Sequence, residues 1–392
     1  MKILVNGGGI SNLALIRHLD KLSIQYDTEN KEELYDYIVK SPGTLLENCP
    51  QNGKIVSDIE MIYILHKPKI IGVTGSNGKT TTTLLIYEML KHYINLKLGG
   101  NIGIPFSNVY DGDQYTYLLE LSSFELETCE KLKCHVAVML NINYCHMDHH
   151  KSYIDYIDSK FNIINNQTEE DYIIYNYDDP ILFERLCEYK GNKLSFSMNN
   201  KEADMYIDNG SIYYKNYQIN LDFVSYQSNF DLQNIMASLL VLDLYQVDLY
   251  ELIDSINRFK KPKYRLEKLS DFVYNDAKST NVFSTIEALK SLGMVNLILG
   301  GYDRGEDYSP LFEYKNLLKE CFIYGENKDK IKKLCKENNV KCHTYKTLKK
   351  ATLEALKKEG VLLYSPASAS FDQYQSYLER GSEFEIIVKD RI

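Results

Sequence analysis

The sequence lacks the features that identify membrane-spanning, secreted and nucleic-acid-binding proteins. Its 392 residues contain no run of about 18 apolar residues, so we expect no transmembrane helix. In the first ten residues, MKILVNGGGI, a short apolar stretch ends at three glycines, whereas a secretory signal has a longer apolar core. The net charge of −9 argues against nucleic acid as a partner. These absences predict a soluble, cytoplasmic protein with no membrane or nucleic-acid partner.

The sequence also lacks regularly spaced cysteines. The eight cysteines form no CxxC pair, and their spacing shows no regularity. A disulfide framework and a cysteine zinc site both depend on such spacing, so we expect neither. The thiols are therefore predicted to be reduced.

The length of the chain and two linker-like segments predict three domains. A domain usually has about 100–200 residues, which allows two or three here. The segments HKPK, at 66–69, and RFKKPK, at 258–263, have the composition of linkers. The predicted domains are therefore residues 1–66, 67–261 and 262–392.

The first segment begins with the strand, glycine turn and helix that are typical of a Rossmann-like fold. An apolar strand at residues 2–6 ends at the glycines 7–9, and a helical pattern follows. The dinucleotide fingerprint needs a third glycine where Asn12 stands, so a bound dinucleotide is not expected. A phosphate group can still approach a helix N-terminus across such a turn.

The other two segments have the patterns of parallel α/β sheets. Apolar runs at 70–73, 117–121 and 136–142 are typical of strands covered on both faces, and a helix is predicted at 234–245. From residue 272 to residue 378, strand and helix signals alternate, which indicates a doubly wound, Rossmann-like sheet.

A glycine-rich loop between a strand and a helix is the strongest local signal. Residues 71–80 read IGVTGSNGKT, and the helix is predicted to begin near Thr80. The N–H groups of such a loop can surround a triphosphate. Lys79 would reach the β- and γ-phosphates, and the Thr80 hydroxyl would bind Mg²⁺. The predicted fold class is therefore α/β in three domains, with Rossmann-like N- and C-terminal domains around a central P-loop ATPase-type domain.

The loop sequence TGSNGKTT resembles the ATP loop of the Mur ligase superfamily. Other segments match that family's motifs in the same order along the chain: GNIG at 100–103, ELSSFELE at 120–127, NI at 141–142, HMD at 146–148, NDAKSTN at 275–281, LGG at 299–301 with DRG at 303–305, and SPASASFDQY at 365–374 with RG at 380–381. The last three resemble the branch that adds D-glutamate to UDP-N-acetylmuramoyl-L-alanine.

The resemblance implies an ATP-dependent ligase of peptidoglycan precursor synthesis. ATP would phosphorylate the terminal carboxylate of UDP-N-acetylmuramoyl-L-alanine, and the amine of D-glutamate would attack the resulting acyl phosphate. In both steps negative charge builds up at the reacting groups, so cations held in fixed positions would supply most of the catalysis. The resemblance also implies Mg²⁺ at two sites, a carbamylated lysine and a monomer.

Glu120 and His146 are candidate metal ligands beside Thr80. Taken alone, Glu120 would be a solvent-facing carboxylate at a strand end, but the upstream Lys79 favours a role in binding Mg²⁺. An isolated histidine is usually structural, whereas His146-x-Asp148 followed by two more histidines is an unusual constellation. Zinc is an alternative there, and the carboxylate-rich, ATP-linked site argues for magnesium.

Lys160 lies on a predicted helix, where the simplest interpretation is a surface lysine. In the family, the matching lysine is carbamylated by CO₂, which turns a cation into an anionic oxygen ligand for the second Mg²⁺. The resemblance therefore makes Lys160 a catalytic residue together with Lys79 and His146.

The family's motif positions imply three further sets of site residues. The ATP site would comprise Gly75, Ser76, Asn77, Gly78, Lys79, Thr80, Thr81, Asn234, Arg265 and Asp276. The UDP-substrate site would comprise Ile10, Ser11, Asp27, Thr28, Asn101 and Ser122. The D-glutamate site would comprise Lys278, Thr280, Arg304, Ser370, Phe371 and Tyr377.

Departures from the family pattern leave other interpretations open. Cys145 replaces the first acid of the DHMD segment, and Phe230-Asp231 replace an HN pair, so the adenine or ribose contact is expected to change. One alternative is a folylpolyglutamate-like ligase with another acceptor or amino acid; the SPASASFDQY segment argues against it. The other is a degenerate ligase that only binds nucleotide, which the retained Lys79 and Lys160 oppose.

Overall fold

The structure is a computed structural model that describes residues 1–147, 149–225 and 228–391. Asp148, one member of the predicted His146-x-Asp148 constellation, lies outside the described residues. Within the described part of the chain, no helix is both long enough and apolar enough to cross a membrane.

The described residues fold into two compact units that contain three β-sheets. The first unit, Met1–Tyr144 with His149–Phe259, contains the first two sheets. The second unit contains residues 260–391 and the short segment 145–147. Helices alternate with mainly parallel strands, so the predicted α/β class is confirmed. The exact domain boundaries stay a prediction.

The first sheet has four parallel strands in the order β2-β1-β3-β4. Its elements are β1 Ile3–Asn6, α1 Ile10–Lys21, β2 Tyr26–Asp27, β3 Tyr35–Lys40, β4 Gly53–Val56 and α2 Asp58–His66. Ile3, Leu4, Ile38 and Val39 are almost wholly buried, as expected for parallel strands covered by helices.

Asn12 explains why the glycine turn after β1 departs from the dinucleotide fingerprint. Its side chain is fully buried, and Nδ2 donates to the carbonyl oxygens of Asn6 at 2.7 Å and Gly7 at 3.1 Å. A glycine at this position could not make these bonds. Asn12 therefore fixes the turn through its side chain, where the fingerprint uses close backbone packing.

The second sheet has nine strands in the order β13-β12-β11-β10-β9-β8-β5-β7-β6. Its elements are β5 Lys69–Thr74, α3 Lys79–Leu90, β6 Leu96–Gly100, α4 Phe106–Val109, β7 Thr116–Glu120, α5 Ser123–Leu126, β8 Val136–Met139, α6 Tyr153–Phe161, β9 Tyr172–Asn176, α7 Pro180–Leu186, β10 Asn192–Ser197, β11 Met205–Asp208, β12 Ser211–Tyr214, β13 Tyr217–Asn220, α8 Asn229–Leu244 and α9 Ile253–Arg258. Strands β5 to β11 pair in parallel, whereas β12 and β13 extend the sheet as antiparallel strands.

Two elements of the second sheet have boundaries that differ from the prediction. The strand predicted at 136–142 ends at Met139, because the next residues bond to the loop after β5. Helix α8 begins at Asn229 instead of residue 234, since Ser228 caps it by accepting a hydrogen bond from the Asp231 N–H group.

The third sheet has six strands in the order β14-β15-β19-β16-β17-β18, all parallel except the β14–β15 pair. Its elements are β14 Glu267–Ser270, β15 Val273–Asn275, α10 Val282–Leu292, β16 Val295–Gly301, β17 Leu318–Gly325, α11 Lys328–Glu337, β18 Cys342–Thr344, α12 Leu348–Ala355, β19 Val361–Tyr364 and α13 Tyr377–Lys389. Leu297 packs in the same apolar cluster as Val282 and Ile331, whereas Ile298 packs with Phe384. Helices therefore cover both faces, as a doubly wound sheet requires.

Short 3₁₀ helices complete the described secondary structure. They are Leu46–Asn48, Asn162–Ile164, Leu221–Phe223, Leu249–Leu252 and Ser309–Leu317. The basic stretch 328–350 forms α11, β18 and the start of α12. Its lysines lie mostly at exposed or half-exposed positions, as expected of charged residues on a solvated surface.

Glu60 fastens α2 to the second sheet within the first unit. Its buried carboxylate accepts hydrogen bonds from three successive backbone N–H groups: Glu130 at 2.9 Å, Lys131 at 2.6 Å and Leu132 at 2.8 Å. Hydrogen bonds to an ionised acceptor are stronger than those between neutral groups. A single side chain thus satisfies a stretch of loop backbone that has no strand partner.

Replacing Glu60 with alanine should destabilise the first unit. Three backbone donors would lose their acceptor, so we expect the free energy of unfolding to fall by about 3 kcal/mol or more. Urea denaturation followed by circular dichroism measures this change. Glu47 is exposed, and Glu47→Ala serves as the control with an expected change below about 0.5 kcal/mol. Equal midpoints for the two variants would contradict the role of Glu60.

Candidate active site

The carboxyl ends of four neighbouring strands meet at one edge of the second sheet. The strand order β8-β5-β7-β6 places Glu120 beside Val73 on one side and Gly100 on the other. On the other side of β5, Thr74 pairs with Met139. Ligands of open parallel sheets bind at this edge, outside the ends of the strands.

The glycine-rich loop, residues 75–78, is held by the segment that follows β8. The N–H group of Ser76 donates to the carbonyl oxygen of Asn141 at 2.9 Å. The N–H group of Asn77 donates to Asn141 Oδ1 at 2.8 Å, and Asn141 Nδ2 donates back to Asn77 O at 3.2 Å. Ser76 Oγ lies 2.6 Å from the hydroxyl of Tyr156. These contacts fix the loop between β5 and α3.

Gly78 requires the backbone freedom of glycine. It caps α3 with a φ of +87°, and a Cβ atom there would lie 2.5 Å from Asn234 Oδ1. Asn234 is itself buried and accepts a hydrogen bond from Thr82 Oγ1 at 3.0 Å. The structure thus places the predicted nucleotide ligand Asn234 directly beneath the loop, where it supports α3 and closes the space behind Gly78.

Lys79, Thr80 and Thr81 form the first turn of α3. The Lys79 ammonium donates to the carbonyl oxygens of Gly75 at 2.7 Å and Ser76 at 3.1 Å. Thr80 is half-buried, whereas Thr81 is only 2% exposed. Thr81 can therefore offer its backbone N–H group, but not an exposed side chain, to an anion at the helix N-terminus, and Thr80 is the less buried of the two threonines.

Glu120 is buried, which excludes the solvent-facing interpretation. Its side chain is at the end of β7, and its Oε1 accepts a hydrogen bond from Asn101 Nδ2 at 3.2 Å. The other carboxylate oxygen, Oε2, is buried without a hydrogen-bond partner in the described structure. Leaving a buried acceptor unsatisfied costs free energy, and a hard cation such as Mg²⁺ would satisfy it.

Lys160 is also buried, so the surface-lysine interpretation is wrong. Only 2% of the residue is exposed, although it is charged and lies on α6. Its Nζ donates to Gly75 O at 3.0 Å and to Thr74 Oγ1 at 3.4 Å, and it lies 4.9 Å from the centre of the Tyr156 ring. The side chain therefore reaches the start of the glycine-rich loop, at the same sheet edge as Glu120.

Ser122 caps the short helix α5 in partnership with Glu125. The Glu125 carboxylate accepts from Ser122 N and Ser122 Oγ, both at 2.8 Å. Burial, with a smaller contribution from the charges of Asp58 and Glu120, raises the pKa of Glu125 to about 8. In the sequence, Glu125 stood out only as part of the ELSSFELE segment, and its buried acidic neighbours were not predicted.

The two histidines that follow Asp148 lie within hydrogen-bond distance of side chains in the first unit. His149 Nε2 lies 2.9 Å from Glu127 Oε1, and His150 Nε2 lies 2.9 Å from Ser123 Oγ. Burial lowers the pKa of His150 to about 4, so its ring is neutral at physiological pH. Among the described residues, no group of three or more His, Cys, Asp or Glu side chains is arranged to hold a metal ion.

Lys40 is a buried charge that sequence reasoning missed. It ends β3 with its side chain fully buried, 2.7 Å from Glu127 Oε1. Its Nζ also donates to the carbonyl oxygens of Pro42 and Thr44, both at 3.0 Å. The only available signal was a lysine at the end of an apolar strand, just before a Ser-Pro-Gly turn.

The predicted UDP-substrate residues of the first sheet lie at two neighbouring strand ends. Ile10 and Ser11 begin α1 after the glycine turn, and Ile10 is 72% exposed. Asp27 ends β2, which pairs in parallel with β1, and it bonds to Lys31 Nζ and the Tyr35 hydroxyl. The neighbouring residue 28, a threonine, is exposed.

In the second unit the structure brings the predicted D-glutamate residues together in pairs. Lys278 Nζ lies 5.2 Å from the centre of the Tyr377 ring, and the Arg304 guanidinium lies 5.6 Å from that of Phe371. Phe371 is 60% exposed. Of the remaining two residues, Ser370 is buried and Thr280 is half-buried.

Asp276 and Arg265 occupy adjacent positions in the second unit. Asp276 accepts hydrogen bonds from Leu266 N at 3.0 Å and Ser365 Oγ at 2.8 Å. Burial raises the pKa of Asp276 to about 6, and these hydrogen bonds and the positive charge of Arg265 oppose that shift. His146 belongs to the segment 145–147 of this unit and has a left-handed backbone with a φ of 61°.

Comparisons with known proteins gave matches along the whole chain. Residues 73–242 match the family model of the Mur ligase middle domain. A UDP-N-acetylmuramoylalanine–D-glutamate ligase of Oenococcus oeni is 33% identical over 426 aligned residues, covering 100% of this chain and 97% of that protein. A protein of the same name from Staphylococcus aureus is 35% identical over 365 residues, covering 88% and 81%.

Solved structures share the fold at low sequence identity. The MurF ligase of Thermotoga maritima in complex with ADP matches with a TM-score of 0.65 and 19% identity, covering 100% of this chain and 95% of that chain. The UDP-N-acetylmuramate-alanine ligase MurC of the same organism has a TM-score of 0.61 and 15% identity, covering 100% of both chains. The α/β architecture is thus common to these proteins.

Replacing Gly78 with alanine should impair nucleotide binding. The added Cβ would overlap Asn234 Oδ1 and oppose the positive φ, so the loop must move. We expect the dissociation constant for ATP, measured by isothermal titration calorimetry, to rise at least about tenfold. Gly43 has open space at its Cβ position, and Gly43→Ala is the control with unchanged ATP affinity. If Gly78→Ala binds ATP as tightly as the wild-type protein, nucleotide binding does not require glycine at this position.

Proposed function

The chain belongs to the Mur ligase family, and we propose that it adds D-glutamate to UDP-N-acetylmuramoyl-L-alanine as ATP is converted to ADP and phosphate. The observation that carries this proposal is the sheet edge where Glu120 and Lys160 are buried beside the glycine-rich loop. The relatives that share about a third of their residues with this chain bear the name of that activity. The proposal also includes a cytoplasmic location and a monomeric state, as the family resemblance implies.

ATP binds with its phosphates at the glycine-rich loop. The N–H groups at the start of α3, residues 78–81, bind the β- and γ-phosphates, and the dipole of this helix adds to the attraction, while the N–H groups of Ser76 and Asn77 hold the loop on Asn141. The Lys79 ammonium exchanges its loop carbonyls for phosphate oxygens. Asn234 contributes by holding Gly78 in position. Within the second unit, Arg265 and Asp276 are the proposed nucleotide ligands.

Mg²⁺ fits the residues at this edge. The unpartnered Oε2 of Glu120 and the hydroxyl of Thr80 are hard oxygen donors, which Mg²⁺ prefers. Bound there, Mg²⁺ would neutralise charge on the transferred phosphoryl group. A carbamylated Lys160 would supply oxygen ligands to the second Mg²⁺, and the family's motif also implies His146 as a metal ligand.

Carbamylation would suit the position of Lys160. An ammonium at the phosphate loop would be repelled by bound Mg²⁺, and it has no lone pair to offer a metal. A carbamate replaces that charge with two anionic oxygens. The buried side chain already reaches Gly75 and Thr74, so it needs no rearrangement of α6 to present those oxygens near the phosphates.

The acceptor carboxylate meets the γ-phosphate beside Glu120. Asn101 and Ser122 orient the muramoyl-alanine end, while Ile10, Ser11, Asp27 and Thr28 bind the uridine nucleotide. The terminal carboxylate oxygen forms a bond to the γ-phosphorus as the bond to ADP breaks. Lys79 stabilises the charge that spreads over the transferred group.

D-Glutamate binds in the second unit. Lys278 and Arg304 pair with its side-chain carboxylate, and Thr280 and Ser370 donate hydrogen bonds. Phe371 and Tyr377 flank these cations through the ring contacts described above. The amine nitrogen attacks the acyl carbon, the carbon–oxygen bond to phosphate breaks, and the amine loses a proton as the amide forms.

A phosphate-release assay tests the proposed activity. With UDP-N-acetylmuramoyl-L-alanine and ATP, we expect phosphate release to depend on D-glutamate and to be at background with L-glutamate, L-lysine and diaminopimelate. Preference for another amino acid, or for a folate acceptor, would favour the folylpolyglutamate-like alternative. ATP binding without any phosphate release would favour the degenerate ligase.

Lys160→Ala should lose activity and recover part of it with a small carboxylate. Losing a group that positions the metal should lower kcat about 100-fold. Added formate or acetate would occupy the space left by the side chain and restore part of the activity. The wild-type protein should also carry a mass increase of one CO₂ at Lys160, seen by intact-protein mass spectrometry under native conditions.

Lys151 provides the control for the Lys160 variant. It is exposed just before α6, and Lys151→Ala should keep full activity with no response to formate. Full activity in Lys160→Ala would end the carbamate proposal. If Lys160→Ala is inactive, is not rescued by formate or acetate, and the wild-type protein shows no mass increase, Lys160 acts as a cation instead.

A further inference from the structure

We infer that Arg380 is a positioning residue for D-glutamate, because its buried guanidinium ties together the loops that carry Lys278, Arg304 and Ser370. This inference rests on the proposed function. Arg380 itself faces away from solvent, with none of its surface exposed. It acts through the backbone of other residues and is not expected to touch substrate.

The guanidinium spans two loops by direct hydrogen bonds. Nη2 donates to Ala277 O at 3.0 Å and to Ser368 O at 2.9 Å, and Nη1 donates to Ala369 O at 3.0 Å. Ala277 directly precedes Lys278, and Ala369 directly precedes Ser370. Two of the proposed D-glutamate ligands are therefore one residue away from a carbonyl that Arg380 holds.

A third loop joins the same contact. The N–H group of Tyr302 donates to Ala369 O at 3.0 Å, so this carbonyl serves both Tyr302 and Arg380. A Cβ atom at Gly301 would lie 2.4 Å from Ala369 O and 3.1 Å from Arg380 Nη1, which leaves room only for glycine. The loop that leads to Arg304 therefore begins in close packing against the Arg380 guanidinium.

The helix that carries Arg380 supplies another proposed ligand. Tyr377 lies three residues earlier, nearly one turn along α13, and its ring lies against Lys278. Arg380 thus fixes α13 against the loop of Lys278 while Tyr377 contacts that lysine directly. All the proposed D-glutamate elements of the second unit meet around one side chain.

The chemistry of this contact requires arginine. Among the described residues, no carboxylate lies within ion-pair distance of the Arg380 guanidinium, which donates to three carbonyl oxygens and also interacts with the Tyr324 hydroxyl. Burying a cation against neutral acceptors is costly, so its benefit lies in the geometry that it imposes. The planar fork can reach three carbonyls in two directions, which a lysine ammonium on a flexible stem cannot do.

Steady-state kinetics of Arg380→Lys and Arg380→Met test the inference. We expect the KM for D-glutamate to rise at least about tenfold while the KM for ATP stays within about twofold. The ATP value should hold because Asp276 is fixed separately by Leu266 N and Ser365 Oγ. Discrimination between D- and L-glutamate should also weaken. Arg391 is exposed near the end of α13, and Arg391→Lys is the control with unchanged kinetics.

The outcomes separate the inference from the proposed function. If the wild-type protein releases no phosphate with D-glutamate, the proposed function and this inference both fail. If the wild-type protein is active and both folded variants show equal changes for D-glutamate and ATP, or none, Arg380 is only structural.

A second variant decides the matter if both Arg380 variants fail to fold. Asn327 accepts from Gly301 N at 3.0 Å and donates to Ser368 Oγ at 2.7 Å, so Asn327→Ala loosens two of the loops while the buried cation stays. A selective rise in the KM for D-glutamate supports the inference. An unchanged KM in folded Asn327→Ala overturns it.

Discussion

The glycine-rich loop keeps its shape because the segment that follows β8 takes up its hydrogen bonds. Asn141 uses its backbone carbonyl and both polar atoms of its side chain on Ser76 and Asn77. Unpaired buried backbone groups would be costly, so β8 must end early to release Asn141 for this purpose. The positions of Lys79 and Thr80 in turn depend on the loop, since both lie in the first turn of the helix that it begins.

Buried charge is the second constraint, and it recurs in both units. Glu120, Lys160 and Arg380 are nearly or fully buried, and each lies next to backbone that the proposed reaction uses. Hydrophobic residues of similar size would usually stabilise a fold at least as well. These buried groups are therefore explained by what they do. Glu120 keeps one carboxylate oxygen without a partner, Lys160 reaches the glycine-rich loop, and Arg380 fixes a set of carbonyl oxygens.

Much of the fold was predictable because local patterns carry it. Continuous apolar runs indicated the buried parallel strands, and the alternation of signals after residue 272 indicated the doubly wound sheet. Strand ends were less predictable. The run at 136–142 is apolar except for Asn141, and only the contacts of Asn141 show why the strand stops at Met139. The antiparallel β12 and β13 were missed because their short, tyrosine-rich segments lack a clear apolar run.

The sequence by itself determined the glycine-rich loop, its lysine and the order of the motifs, because these depend on neighbouring residues and their spacing. Only the tertiary structure decided which charges are buried. The sequence left Glu120 and Lys160 open to a solvent-facing interpretation, and it showed no reason for Lys40 to meet Glu127 or for Arg380 to reach Ala277. Burial depends on elements that lie far apart in the chain and pack together, and a local pattern does not contain that information.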